Sequence, residues 1–305
     1  QLASICPRHS RYAIECSTTW EVSDIDEDPL LFDPTAGPFS TLHDAFESSV
    51  DSRRILIDQF ALPKDNCQLI ATAIVQGTAI AVCDGSYDPR DHLGTAAFVM
   101  VASKQDKKPL TAANWSPGTK SDQSAYRSEL TGVDSILSAL AILVKQYKIT
   151  SGGITIALDC DTALKTCPPN KPLNIQQPSF DVLQDIRNRI KMLPIIIKWR
   201  WVQGHQKEKG LKMDWWARQN FAVDLAAKHF LRKCRRRKRP FQPIRLLHEH
   251  WSLYYAKIKQ SCIVSKKLYE QIFHKKTRQY WETHHCLLVP SQCKIDREAN
   301  RLARA

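Results

Sequence analysis

The sequence lacks any run approaching the roughly 18 apolar residues that a bilayer-crossing helix needs, so a helical membrane-spanning protein is excluded. It has no Cys-x-x-Cys pair and no secretion signal. The ten cysteines therefore read as reduced thiols of an intracellular protein. Glycine is scarce, 10 residues in 305, and no internal repeat occurs, which excludes a collagen-like chain. What is present is ordinary for a globular fold: 43% hydrophobic and 25% charged residues exclude wholesale disorder and a disulfide miniprotein. Acid is short relative to base, 31 Asp+Glu against 44 Lys+Arg, a net charge of +13. Such a surplus favours a polyanionic partner, nucleic acid or an anionic membrane surface.

The charge is unevenly spread, with net −7 over 1–78, +6 over 79–230 and +14 over 231–305. This predicts three parts: an acidic, partly helical leader or linker over 1–77, a folded domain over 78–231 and a basic, mostly helical extension over 232–305. The chain begins at Gln1, and the expectation is a piece of a longer polypeptide. His284, His285, Cys286 and Cys293 are potential zinc ligands, but their spacing fits no common zinc module, and surface or core roles are the better reading.

Helices are expected near 40–49 and 64–75. From Thr78 the pattern sharpens. Thr78–Asp84 reads as a strand ending in an acid, and 93–102 and 109–116 as two further strands, an antiparallel meander turning at Asp88-Pro89-Arg90-Asp91. Tyr126, Leu130, Val133, Leu137, Leu140 and Val144 mark a helix over 123–146. A strand over 154–159, a short helix over 159–165, a helix over 180–192, a strand over 195–202 and a helix over 214–231 follow. The order β-β-β-α-β-α-α-β-α predicts an α/β fold, a mixed five-stranded sheet flanked by helices.

The acids fall at informative places. Asp84 and Asp159 each close a predicted strand, Glu129 lies in the first turns of the long helix, and Asp224 sits among Phe221, Val223 and Leu225. An acid among hydrophobic residues is costly unless something pairs with it, and several together repel one another. A divalent cation resolves both problems, and oxygen-only ligands favour Mg²⁺ or Mn²⁺ over zinc. Taken singly, a strand-end Asp is as readily a helix cap, and Asp224 a solvated helix residue. Asp159-Cys160-Asp161 offers two candidates, of which Asp159 fits the strand end and Asp161 suits a cap of the next helix.

In this order, Val82-Cys83-Asp84-Gly85-Ser86, Tyr126-Arg127-Ser128-Glu129-Leu130, Ala157-Leu158-Asp159, Trp201-Val202-Gln203-Gly204-His205 and Val223-Asp224-Leu225-Ala226 resemble ribonuclease H over residues 78–231. The resemblance implies a hybrid nuclease that cleaves the RNA strand of RNA–DNA duplexes with two Mg²⁺ or Mn²⁺ ions. It implies that Asp84, Glu129, Asp159 and Asp224 bind the metals, Asp84 bridging them, and that His205 assists proton transfer or product release. Gln76-Gly77-Thr78-Ala79-Ile80, Asp214-Trp215-Trp216-Ala217-Arg218-Gln219-Asn220 and, more loosely, Leu268-Tyr269-Glu270 with Tyr280-Trp281 are similar to such domains in protist retroelement reverse transcriptases. That implies an upstream polymerase domain as a partner.

Around this core, Arg127, Lys207, Lys209 and Lys212 are candidate phosphate contacts, and equally a solvated charged loop. Trp199, Trp201, Trp215 and Trp216 read as core more readily than as base-stacking residues. Seven of the eight residues 232–239 are basic: a nuclear localisation signal, a nucleic-acid clamp or a solvated linker. The rival readings are an inactive tethering module of this fold, or a nuclease of the integrase and transposase kind.

Overall fold

Alternating apolar residues in the middle of the chain build a sheet that is covered on both faces. The structure, a computed structural model, describes residues 41–51, 58–170, 172–174, 176–204, 206, 212–237, 246, 253–255 and 258–260. All of them belong to one unit, Pro38–Ala305. In chain order the elements are α1 (Leu42–Asp51), β1 (Gln59–Ala61), α2 (Gln68–Val75), β2 (Ala79–Asp88), β3 (Leu93–Val101) and β4 (Leu110–Trp115). Then come α3 (Ala125–Gln146), β5 (Gly153–Leu158), α4 (Asp161–Thr166), α5 (Phe180–Met192), β6 (Ile196–Trp201) and α6 (Trp215–Arg236). A two-stranded antiparallel pair, β7 (Leu253–Tyr255) and β8 (Ile258–Gln260), follows.

The main sheet is mixed and six-stranded, in the order β1-β4-β3-β2-β5-β6. β2, β3 and β4 form the expected antiparallel meander, and β5 and β6 add in parallel on the other side of β2. The expected five strands are thus joined by a sixth, β1, which pairs antiparallel with β4 through Gln59–Ala61. Three residues are too few to carry a period-two signal, which is why composition pointed to a linker there. Leu42, Ala45 and Phe46 of α1 and Ile70 and Ile74 of α2 are buried, so the acidic stretch contributes core as well as charge.

β2 organises the molecule. Its even-numbered residues Ile80 and Val82 join Val99, Val101, Ala157, Val202, Trp216 and Val223 in a core under α6. Its odd-numbered Cys83 faces α3, where Gly132 lets the helix approach: a Cβ there would stand 3.0 Å from the Cys83 Cβ. β2 also runs four residues beyond the expected end at Asp84. Parallel pairing with β5 stops at Val82, whereas antiparallel pairing with β3 continues to Asp88. Asp84 therefore lies where one side of the strand loses its neighbour, not at a strand end.

α3 is buried almost all round, because the sheet, α1 and α5 all pack on it. Its Thr131, Ser135 and Ser138 hydroxyls donate to carbonyls one turn back, at 2.8, 2.6 and 2.8 Å, which satisfies small polar groups in a close-packed helix. α6 runs to Arg236, five residues past the expected end, so the basic run begins as helix. Beyond it the described residues are Arg237, the buried Leu246 and the β7–β8 pair. Residues 261–305 of the expected helical extension, with the cluster of His284, His285, Cys286 and Cys293, lie outside the described residues. No described helix is long and apolar enough to cross a membrane.

Candidate metal centre

Three elements deliver three acids to one point. Asp84 continues the even-numbered face of β2 and is 6% exposed. Glu129 lies in the second turn of α3, a helix started by Ser124, whose side chain accepts the Arg127 backbone N–H at 3.1 Å. Asp159 follows β5 directly. Ligand oxygens of Asp84, Glu129 and Asp159 all lie within 4.8 Å of one another.

The close approach of α3 to β2 depends on Gly85. A Cβ there would stand 2.5 Å from the Glu129 nitrogen and 2.6 Å from the Ser128 carbonyl carbon, nearer than packing allows. The Gly85 backbone also hydrogen-bonds Glu129. Gly204 plays a similar part on the other side, where a Cβ would meet the Asp159 carboxylate oxygen at 2.4 Å. The loop after β6 thus lies against Asp159, and the exposed Trp201 donates its indole N–H to the Asp159 main-chain oxygen at 3.0 Å.

Burial, then the neighbouring acids Glu129, Asp159 and Asp224, drive the Asp84 carboxyl far above the ordinary carboxylate range. Burial and then Asp159 raise Glu129 in the same way. Asp224, from α6, lies outside the 4.8 Å group, but its charge is felt by both acids. Its carboxylate accepts a hydrogen bond from the Lys228 ammonium at 2.8 Å.

The donor set fits a hard divalent cation. All its ligand atoms are oxygens, and one of them, Glu129 Oε2, is buried with no hydrogen-bond partner. Asn220, one turn before Asp224, adds a second such atom. It is 4% exposed, its amide donates to Asp159 Oδ2 at 3.2 Å, and its Oδ1 is buried without a partner. The sequence reading missed Asn220. The available signal was an amide on the apolar stripe Trp216, Ala217, Val223 and Ala227, at a position that nothing apolar fills.

The remaining expected residues divide. Asp161 is exposed in the first turn of α4, paired with Lys165, and stands apart from the acid group. Arg127 is a correction. It is fully buried, its guanidinium bonded to both Asp181 oxygens at 2.8 and 2.7 Å and to the Pro117 carbonyl at 2.5 Å. It ties α3 to α5 and is not a surface phosphate contact. Lys212 is exposed, while His205, Lys207 and Lys209 lie outside the described residues. Of the tryptophans, Trp216 is core, with Arg200 stacked 4.5 Å from its ring centroid, and Trp201 is 53% exposed.

No protein-family model matches the chain, and no curated protein matches it by sequence. Among solved structures, it is similar to the N-terminal RNase H domain of a Mycobacterium tuberculosis protein, solved as a fusion with maltose-binding protein. The identity is 11% and the TM-score 0.30, over 41% of this chain and 86% of that one. It is also similar to an RNase H1 from the halophilic archaeon Halobacterium salinarum, at 13% identity and TM-score 0.32, over 50% of this chain and 98% of that one.

Proposed function

We propose that this chain is a metal-dependent endonuclease of the ribonuclease H kind, hydrolysing the RNA strand of RNA–DNA hybrids. The observation that carries the reading is the group of Asp84, Glu129 and Asp159, three carboxylates from separate elements gathered within 4.8 Å, Asp84 buried and the other two half-buried. Asp84, Glu129, Asp159 and Asp224 would hold two Mg²⁺ or Mn²⁺ ions, which supply Lewis-acid stabilisation and a water nucleophile for phosphodiester hydrolysis. Asn220 holds the Asp159 carboxylate in place. Gly85 keeps the start of α3 against β2, and so keeps Glu129 beside Asp84. His205, on the loop that follows Gly204, would move a proton. The retroelement-like motifs extend the proposal to a domain of a reverse transcriptase polyprotein.

The test is cleavage of a labelled RNA–DNA hybrid with Mg²⁺, Mn²⁺ or chelator, beside single-stranded RNA and duplex DNA. Metal-dependent cutting of the hybrid's RNA strand alone is expected. Asp84→Asn should abolish cutting and spare hybrid binding. Cutting retained by that variant would falsify the assignment of the site.

A further inference from the structure

The basic run was legible as a run; the structure shows which way its parts face. Between Leu225 and Arg237 there are six cations and no acid: Lys228, Arg232, Lys233, Arg235, Arg236 and Arg237. All except Arg237, which caps the helix, lie within α6. At about 100° per residue, Lys228, Arg232 and Arg235 lie within about 80° of Asp224 around the helix axis, and Arg236 about 120° from it. Lys233 lies about half a turn away and Arg237 about 140° away in the opposite sense from Arg236, the side on which Gln219 and Ala226 line a cavity against β1, β4 and α1. The two flanks of α6 therefore look in different directions. One faces the acid group and carries a line of cations leading away from it.

That line is held in place. Arg235 pairs with Asp88 and Asp91, where β2 turns into β3, fixing the C-terminal end of α6 to the hairpin that leads out from Asp84. At 1.5 Å per residue, Arg235 lies about 16 Å along the helix from Asp224. Favourable placement of cations at a helix C-terminus explains those of the last turn. Lys228, further back, pairs with Asp224, and neither effect explains Arg232. Arg232 and Arg236 are exposed.

We infer that this edge of α6 is a phosphate track, along which a nucleic-acid backbone runs from the acid centre toward the β2–β3 turn. Lys228, Arg232 and Arg236 make the contacts, and Arg235 anchors the helix. The nucleic-acid class rests on the nuclease reading and on the form of the surface. A membrane-binding helix offers an apolar face to lipid, whereas the apolar stripe of α6 is already spent on the sheet.

The test measures hybrid binding by the full chain in chelator, by fluorescence anisotropy between about 50 and 200 mM salt. Arg232→Gln/Arg236→Gln should reduce the slope of log affinity against log salt by about 1.4 to 1.8, the effect of two phosphate contacts. Lys233→Gln/Arg237→Gln should leave the slope unchanged. Equal slopes in all three proteins, or the same fall in both variants, would overturn the track. So would loss of binding to phosphatidylserine vesicles in Arg232→Gln/Arg236→Gln with the hybrid slope unaltered, which would assign the edge to a membrane surface. If the slope falls as expected and the unmodified chain cuts no hybrid in any metal, the track stands and the nuclease reading fails.

Discussion

Asn220 sets the character of the centre at the scale of a single residue. It gives its amide to Asp159 and leaves its carbonyl oxygen buried and unpaired. An orphaned buried acceptor costs about 1–3 kcal/mol, so its retention makes sense where a cation completes it. Asn220→Leu should weaken Mn²⁺ binding measured by calorimetry by about 10- to 100-fold, the usual effect of losing a residue that orients a ligand. The same variant should melt no lower than the parent in chelator, since the orphaned oxygen is gone. Unchanged Mn²⁺ affinity would reduce Asn220 to packing. The neighbouring acids were legible because a carboxylate amid apolar residues is conspicuous in any sequence. An amide in that setting reads as neutral. Arg127 misled for the opposite reason: a charge beside a candidate ligand reads as surface, and only the fold shows Asp181 waiting 54 residues later in α5.

Elements were legible in proportion to their length and to how one-sided their burial is. β3, β4, α3 and α5 stand within two residues of their expected bounds, because long periodic or apolar stretches carry their own signal. β1 and the far end of β2 do not. The first is three residues long, and the second carries on past Asp84 through pairing with β3, which leaves no mark in hydropathy. The joint between α3 and α5 was equally hidden. It consists of Arg127 with Asp181, and of Arg189 with Asp134 and Asp185, all buried. Removing one partner of a buried pair strands the other charge, at a cost of about 3–5 kcal/mol, whereas replacing both with apolar residues is often neutral. Arg127→Met should therefore lower stability by about that amount in urea unfolding, and Arg127→Met/Asp181→Leu should recover most of it. Hybrid cleavage should follow stability in this series, because Arg127 lies two residues before Glu129 and holds the start of its helix. A single variant as stable as the parent would show that the pair contributes no support.

Across the whole molecule, the concentration of acid at one point should govern how stability varies with pH. Asp84 and Glu129 have ordinary values of 3.8 and 4.5, and in the folded chain they are pushed up to about 10 and about 8. Between these limits the folded state holds protons that the unfolded chain has released. Stability must then fall as pH rises, by up to about 1.4 kcal/mol per pH unit for each proton so held. Below the unfolded values the penalty is absent; above the folded values it is complete. Asp134 is also raised by burial and by Asp185, but Arg189 opposes the shift, and this group stands in the α3–α5 joint, apart from the metal centre. In chelator, the melting temperature should drop between pH 6 and 8 by several degrees, at about 2–4 °C per kcal/mol for a domain of this size. Saturating Mg²⁺ should flatten that drop, because a cation binds the carboxylates only once their protons have left. Asp84→Asn should also flatten it, without metal, and should raise the melting temperature at pH 8 by removing a carboxyl that must take up a proton on folding. A melting temperature that rises with pH to the same extent with and without Mg²⁺ would show that these acids are not held protonated, and that no cation takes the protons' place.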